Sequence, residues 1–123
     1  LVGSEMCIRD RYKEYLGVEV PNDREGCLQD SHWSGGSFGY FPSYALGNAY
    51  GAQMLHNMEQ EFDVYGGVAH GDLSAVTGWL QEKVHQYGHL LEPAEVVRNA
   101  CGTFDAHYYL DYLTQKYTEL YRL

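Results

Sequence analysis

A chain of 123 residues with 45% hydrophobic residues can form one small folded domain with a modest core. Its formal net charge of -9 argues against nucleic-acid binding, which needs Lys and Arg to neutralise phosphates, and the twelve tyrosines have no basic groove in which to stack on bases. The apolar runs are also far shorter than the roughly 20 residues that cross a bilayer, so we expect neither nucleic acid nor membrane as a partner.

The chain has three cysteines, Cys7, Cys27 and Cys101, and no close-spaced pair. It therefore predicts neither a zinc knuckle nor a disulfide framework, and a reducing compartment is the simplest expectation. Cys27 and Cys101 lack the basic neighbours that would make them reactive, so we predict that both are small buried hydrophobic residues.

The opening residues 1–11, LVGSEMCIRDR, show no helical or strand periodicity and resemble translated adapter sequence. We predict a non-native leader, with a flexible native leader as the alternative. Residues 12–123 then form the native part, which we interpret as an incomplete domain. Residues 12–16 predict the end of a helix that Gly17 stops in a left-handed conformation.

A loop rich in Gly, Ser, Asp and aromatic residues follows at 22–42, and beyond it apolar residues recur at helical spacing. The first helix is entered through Pro42, Asp72 can cap the second, and the third begins at Pro93. No alternating strand pattern competes, so the predicted fold class is all-α. The predicted helices are 43–62, 72–87, 93 up to Gly102, and 105–121.

Two glycines, Gly47 and Gly51, lie four residues apart inside the first of these helices. Each costs a helix about 1 kcal/mol relative to alanine, which indicates that another helix or backbone packs closely there. This favours burial within a larger body, and it predicts that the chain alone exposes apolar surface and is poorly stable.

Several polar residues outside the loop have simple interpretations. His85 and His89 have a spacing that can bind metal on a helix, but no third ligand is evident and we predict that both lie at the surface. The other isolated histidines are predicted to pack or to face solvent, and the acidic run 59–63 is predicted to be a solvated helix end. These isolated histidines are His56, His70 and His107.

The string GCLQDSHW at 26–33 places an amide, a carboxylate, an imidazole and an indole within five positions. Asp30 can orient the imidazole of His32 and fix its tautomer, and Gln29 can hold a polar ligand. The alternative is a satisfied polar turn around a buried Trp33. Nearby, Tyr40 and Tyr44 could donate hydrogen bonds to developing negative charge beside a metal, or they could be core aromatic residues.

This string fits the pattern GxxQDxHW, which resembles a signature of the Taq-type thermostable metallocarboxypeptidases, and the segments FGYFPSYALGNAYGAQ and YLDYLTQKYTELY are similar to the same family. The resemblance covers nearly everything after Arg11. It implies the helical C-terminal part of a larger, mostly helical zinc-peptidase fold. It also implies a cytoplasmic homodimer that removes C-terminal residues from peptide substrates with one divalent metal, zinc or cobalt.

The resemblance also implies how the site is divided. The family binds metal through an H-E-x-x-H helix and a later Glu, whereas no His here is followed by Glu, so we predict no metal ligand in this chain and no activity of the chain alone. By analogy, His32 and one of Tyr44 or Tyr40 donate to the oxyanion or the substrate terminus, while Gln29 and Asp30 hold the loop and the peptide end. Tyr44 is preferred because the first turn of a helix fixes a side chain better than a Gly-flanked loop.

Two interpretations from other classes stay open. One is a stand-alone, non-catalytic, acidic helical module that binds peptides or a protein partner. The other is a small metal protein that uses His85 and His89.

Overall fold

The computed structural model describes residues 2–123, with the side chains at 9–32 and 34–123. Helices are the regular elements of this part, which contains no strand, so the all-α prediction is confirmed. Within residues 2–123, none of the helices is both long and apolar enough to pass through a bilayer. The chain divides into two compact units, Leu1–Pro42 and Ser43–Leu123.

The first unit contains helix α1 (Val2–Leu16), two 3-10 turns (Asp23–Glu25 and Cys27–Gln29) and the short helix α2 (Ser31–Ser34). Helix α1 ends as predicted at Gly17, whose φ is 66°. The helix also runs through the predicted leader, which is helical despite its lack of periodicity. Whether that segment is native stays a prediction.

The second unit contains most of helix α3, followed by four further helices and a 3-10 turn. Helices α3 and α6 lie within a residue of their predicted bounds, and Gly102 follows α6 with a φ of 78°. Helix α4 was not predicted. The elements are α3 (Pro42–Glu61), α4 (Val64–Ala69), α5 (Ser74–Lys83), the turn His85–Tyr87, α6 (Pro93–Cys101) and α7 (His107–Tyr121).

Helices α5 and α7 each begin two residues later than predicted, because an aspartate accepts a backbone hydrogen bond from the first helical turn. Asp72 Oδ1 accepts from the Ser74 N–H at 2.9 Å, and Asp105 Oδ1 accepts from the His107 N–H at 2.9 Å. Helix α5 also ends early, at Lys83, and gives way to a 3-10 turn that Gly88 closes with a φ of 51°.

The acidic run 59–63 is exposed, as predicted, but two of its carboxylates also hold the fold together. Glu61 Oε1 accepts a hydrogen bond from the Trp79 indole N–H at 2.9 Å, which joins α3 to α5. Asp63 caps helix α4 by accepting from the Gly66 N–H at 2.9 Å. The interpretation of this run as a solvated helix end therefore holds, and two of its carboxylates have a structural role as well.

The core of the second unit is small. Met58, Val64 and Trp79 form its buried centre. Many large apolar side chains are exposed instead, among them Leu46 and Leu120, as predicted for a part of a larger body. Partly buried residues packed against the centre are Met54, Leu55, Phe62, Val76, Leu80, Val84, Ala100 and Cys101.

The predicted close neighbour of Gly47 and Gly51 does not come from the described chain. A Cβ atom added at either glycine would meet no atom within 4 Å. This side of α3 is therefore open in the described structure.

The most buried of the side chains that the structure describes is polar, and its burial was not predicted. Gln53, on α3, is 1% exposed. Its Nε2 donates to the carbonyl oxygens of Cys101 at 3.1 Å and Thr103 at 3.0 Å, and its Oε1 accepts from the Asp105 N–H at 3.0 Å. One amide therefore satisfies three backbone groups of the connection between α6 and α7.

Candidate functional site

The centre of the candidate site is a carboxylate that holds an imidazole. Asp30 Oδ1 accepts from the backbone N–H of His32 at 3.0 Å and lies 2.5 Å from the ring Nδ1. The two side chains are 28% and 24% exposed. Hydrogen bonds from the His32 backbone N–H and then from its ring lower the pKa of the Asp30 carboxyl. Because an ionised carboxylate only accepts, Nδ1 carries the proton and further chemistry must go through Nε2.

Two aromatic rings lie against this imidazole. The Tyr40 ring stacks on His32 with centroids 5.6 Å apart and an interplanar angle of 21°, and the Phe41 ring meets it edge-on at 5.8 Å. The chain returns to His32 through Gly36 and Gly39, whose φ angles of 78° and 76° are left-handed conformations that glycine adopts without strain. The loop thus fixes the ring by stacking as well as by hydrogen bonding.

The other predicted site residues have distinct positions. Gln29 Nε2 donates to the Arg24 carbonyl at 2.6 Å, so this amide holds the loop, as predicted. Tyr44 lies in the first turn of α3, as predicted, and belongs to the second unit. Tyr40 and Tyr44 are both exposed, so neither is a core aromatic residue of the described chain. The predicted burial of Trp33 concerns a side chain outside those that the structure describes.

His85 and His89 are exposed, as predicted, and no continuous helix carries them, because α5 ends before His85. Among the described side chains, no group of three His, Cys, Asp or Glu residues could hold a metal ion. Cys27 and Cys101 are only half-buried, and burial raises the pKa of the Cys101 thiol.

His107 faces solvent, as predicted, but it also has a partner two residues earlier. Asp105 Oδ1 accepts from its backbone N–H at 2.9 Å and lies 2.8 Å from its Nδ1, which repeats the geometry of Asp30 and His32. The shared Asp-x-His spacing at the start of a helix therefore produces this contact locally. The surroundings differ, because the His107 side chain is 81% exposed.

We expect the His107 imidazole to titrate above its ordinary value of about 6.5 in an NMR pH titration, because the hydrogen bond and charge of Asp105 raise its pKa. A raised folded-state pKa stabilises the fold below about pH 6.5, and this contribution is lost as the pH rises through the raised value. Asp105→Asn should return the pKa towards the ordinary value, while Asp111→Asn should lower it less, since Asp111 is the weaker influence. Titration at or below 6.5 in the unmodified chain would contradict this assignment.

Known proteins resemble this chain in both sequence and fold. The family model of the carboxypeptidase Taq (M32) metallopeptidases matches residues 5–117. Carboxypeptidase 1 of Bacillus subtilis is 44% identical over 117 residues, which are 92% of this chain and 23% of that protein. Thermostable carboxypeptidase 1 of Thermus thermophilus is 36% identical over 114 residues, 91% of this chain and 22% of that protein.

The solved structure of Trypanosoma cruzi metallocarboxypeptidase 1 superposes with a TM-score of 0.86 at 39% identity, covering 92% of this chain and 24% of that one. The chain thus matches a helical segment of these relatives in both sequence and fold. The chain belongs to the carboxypeptidase Taq (M32) metallopeptidase family, which confirms the resemblance drawn from its motifs. It spans roughly a quarter of the length of the relatives that it matches, 23% in the case of the Bacillus protein.

Proposed function

We propose that this chain is part of a metal-dependent carboxypeptidase and forms the wall that holds the substrate's C-terminal end and the oxyanion. The observation that supports it most is the imidazole of His32, held through Nδ1 by Asp30 at 2.5 Å and stacked on Tyr40. Such a fixed ring offers one defined atom, Nε2, to a substrate. Family membership supports an enzyme over a non-catalytic binding module.

The metal is proposed, on the family resemblance, to be zinc or cobalt bound by parts of the protein outside this chain. When bound, it would supply the activated water for peptide hydrolysis. A homodimer in the cytoplasm is proposed on the family resemblance alone.

The tautomer of His32 limits its role. Because Nδ1 donates to Asp30, Nε2 of a neutral ring could only accept a hydrogen bond. Donation to an oxyanion therefore requires the imidazolium form, and it would be a charge-assisted hydrogen bond. Asp30 is thus proposed as a positioning residue that sets the orientation of His32.

Gln29 is proposed to bind the substrate through its side-chain oxygen. Its Nε2 is already engaged with the Arg24 carbonyl at 2.6 Å. Its Oε1 is then the atom that would accept a hydrogen bond from a peptide N–H near the substrate's terminus.

The test is a chimera in which residues 12–123 replace the matching segment of Bacillus subtilis carboxypeptidase 1, assayed for release of the last residue of a peptide. We expect metal-dependent release. A chimera that folds and retains its metal but leaves the peptide terminus intact would contradict the proposal.

In the same chimera, Tyr44→Phe is expected to lower kcat about 10- to 100-fold with little change in bound metal, because it removes a donor that acts mainly in the transition state. Tyr40→Phe is the matched comparison and should cost less, since its ring would still stack on His32. A larger loss from Tyr40→Phe would reverse the two roles, and unchanged turnover in both variants would rule out a phenol donor.

A further inference from the structure

A cavity of about 130 Å³ lies among helices α3, α4 and α7 of the second unit, and its lining includes no residue of the Asp30–His32 loop. Tyr65, Tyr108 and Tyr112 contribute three aromatic rings to its lining, and Glu59 and Asp111 contribute two carboxylates. Typical sites for whole small molecules measure roughly 300–1,000 Å³. This cavity is smaller and suits a single side chain.

The charge in the cavity is negative. Among the side chains that the structure describes, neither Glu59 nor Asp111 forms an ion pair. Burial and the nearby Glu59 carboxylate raise the pKa of the Tyr65 phenol. The lining therefore disfavours an added negative charge and attracts a positive one.

The aromatic lining favours the same kind of ligand. Tyrosine faces attract cations, and the Tyr112 ring already lies near one, with the Lys116 ammonium 5.5 Å from its centroid. Lys116 lines the neighbouring groove beside Gly47 and Gly51 and does not line this cavity. His56 is the lining residue that would repel a cation when protonated, and its ring lies 4.7 Å from that of Tyr108.

We propose that this cavity binds the guanidinium group of an arginine presented by a polypeptide segment. A guanidinium is planar, stacks on aromatic rings and donates several hydrogen bonds, which suits a lining of three tyrosines with Glu59 and Asp111 better than a compact ammonium does. The proposal is independent of the carboxypeptidase function, because none of these residues belongs to the Asp30–His32 loop.

The probe is N-acetyl-arginine-N-methylamide, titrated into the 123-residue chain at low salt and about pH 8, where an ordinary imidazole is uncharged. We expect saturable shifts of the ring signals of Tyr65, Tyr108 and Tyr112 with a dissociation constant in the millimolar range. The citrulline analogue has nearly the same shape without the charge. Its dissociation constant should be at least about tenfold higher than that of the arginine probe. Free arginine should also bind more weakly, because its carboxylate would meet Glu59 and Asp111.

Exposed carboxylates allow matched variants that keep the fold. Glu59→Gln and Asp111→Asn should each weaken binding of the arginine probe by about threefold or more, whereas Glu82→Gln, an exposed carboxylate of α5 outside the cavity, should leave it unchanged. Equal affinity for arginine and citrulline, shifts that do not saturate, or equal effects of all three variants would overturn the proposal. Tighter binding of free arginine than of N-acetyl-arginine-N-methylamide would contradict the proposal that the arginine belongs to a polypeptide.

Discussion

Replacing His32 by alanine in the Bacillus chimera is expected to lower kcat by about 100- to 1,000-fold, the usual cost of removing one oxyanion donor. The imidazole is fixed by Asp30 at 2.5 Å and by stacking on Tyr40 at 5.6 Å, so its donor is oriented before the substrate arrives. The bound metal should not change, because His32 is not proposed as a ligand. Steady-state kinetics and metal analysis of the same samples measure both quantities.

The chain offers a matched control for this variant. His107 has the same backbone and ring contacts to an aspartate two residues earlier, but its side chain is 81% exposed and it is assigned no part in the site. His107→Ala should leave kcat unchanged. Asp30→Asn should lower kcat less than His32→Ala, because the ring keeps its stacking on Tyr40 but loses the carboxylate that orients its Nδ1. Equal losses from His32→Ala and His107→Ala would contradict the assigned role.

Gln53→Leu is expected to lower the free energy of unfolding of the 123-residue chain by about 3 kcal/mol, since it leaves three backbone groups at the connection between α6 and α7 without their partner. Leucine has a similar size, so the loss comes mainly from the hydrogen bonds. Urea unfolding followed by circular dichroism measures this change.

Gln60→Leu is the control for Gln53→Leu, because Gln60 lies on the same helix and is exposed. It should change the free energy of unfolding by about 0.5 kcal/mol or less. Gln53→Glu should cost at least as much as Gln53→Leu, because it would bury a carboxylate whose oxygen faces the carbonyl oxygens of Cys101 and Thr103. A loss for Gln53→Leu no larger than that for Gln60→Leu would show that the three hydrogen bonds do not stabilise the fold.

The helices that sequence predicted best are those with local boundary signals. Helix α6 begins at Pro93 and is followed by Gly102, and α3 begins at Pro42. Helix α4 was missed because Gly66 and Gly67 weaken its pattern, although Asp63 caps it. Gln53 could not be predicted, since its partners lie 48 to 52 residues away and a glutamine on a helix is usually exposed.

The candidate site also has a part that the sequence can predict and a part that it cannot. The contact between Asp30 and His32 is local, as its repetition at Asp105 and His107 shows, and sequence could predict it. The stacking of Tyr40 on His32 depends on the path of the loop, which the spacing of residues does not define. The same Asp-x-His spacing at residue 105 also carried a signal that His107 is not isolated, and the sequence interpretation did not use it.

The side of α3 that carries Gly47 and Gly51 adds little to the core of the second unit. Gly47 and Gly51 have no neighbour within 4 Å of an added Cβ, and large apolar residues such as Leu46 stay exposed. Since the matched relatives are about four times longer, 23% of the Bacillus protein being covered, such surfaces suit contacts with the rest of a longer protein. Poor stability of the chain alone stays a prediction.

The most direct test of the proposed site is a crystal structure of the chimera with a peptide bound, in which the distance from His32 Nε2 to the carbonyl oxygen of the bond to be cleaved is measured. We expect His32 Nε2 to lie at a hydrogen-bond distance of about 3 Å from this oxygen, or to contact it through one water. A ring that points away from the peptide, with Nε2 more than about 6 Å from that oxygen and from the substrate's terminal carboxylate, would contradict it.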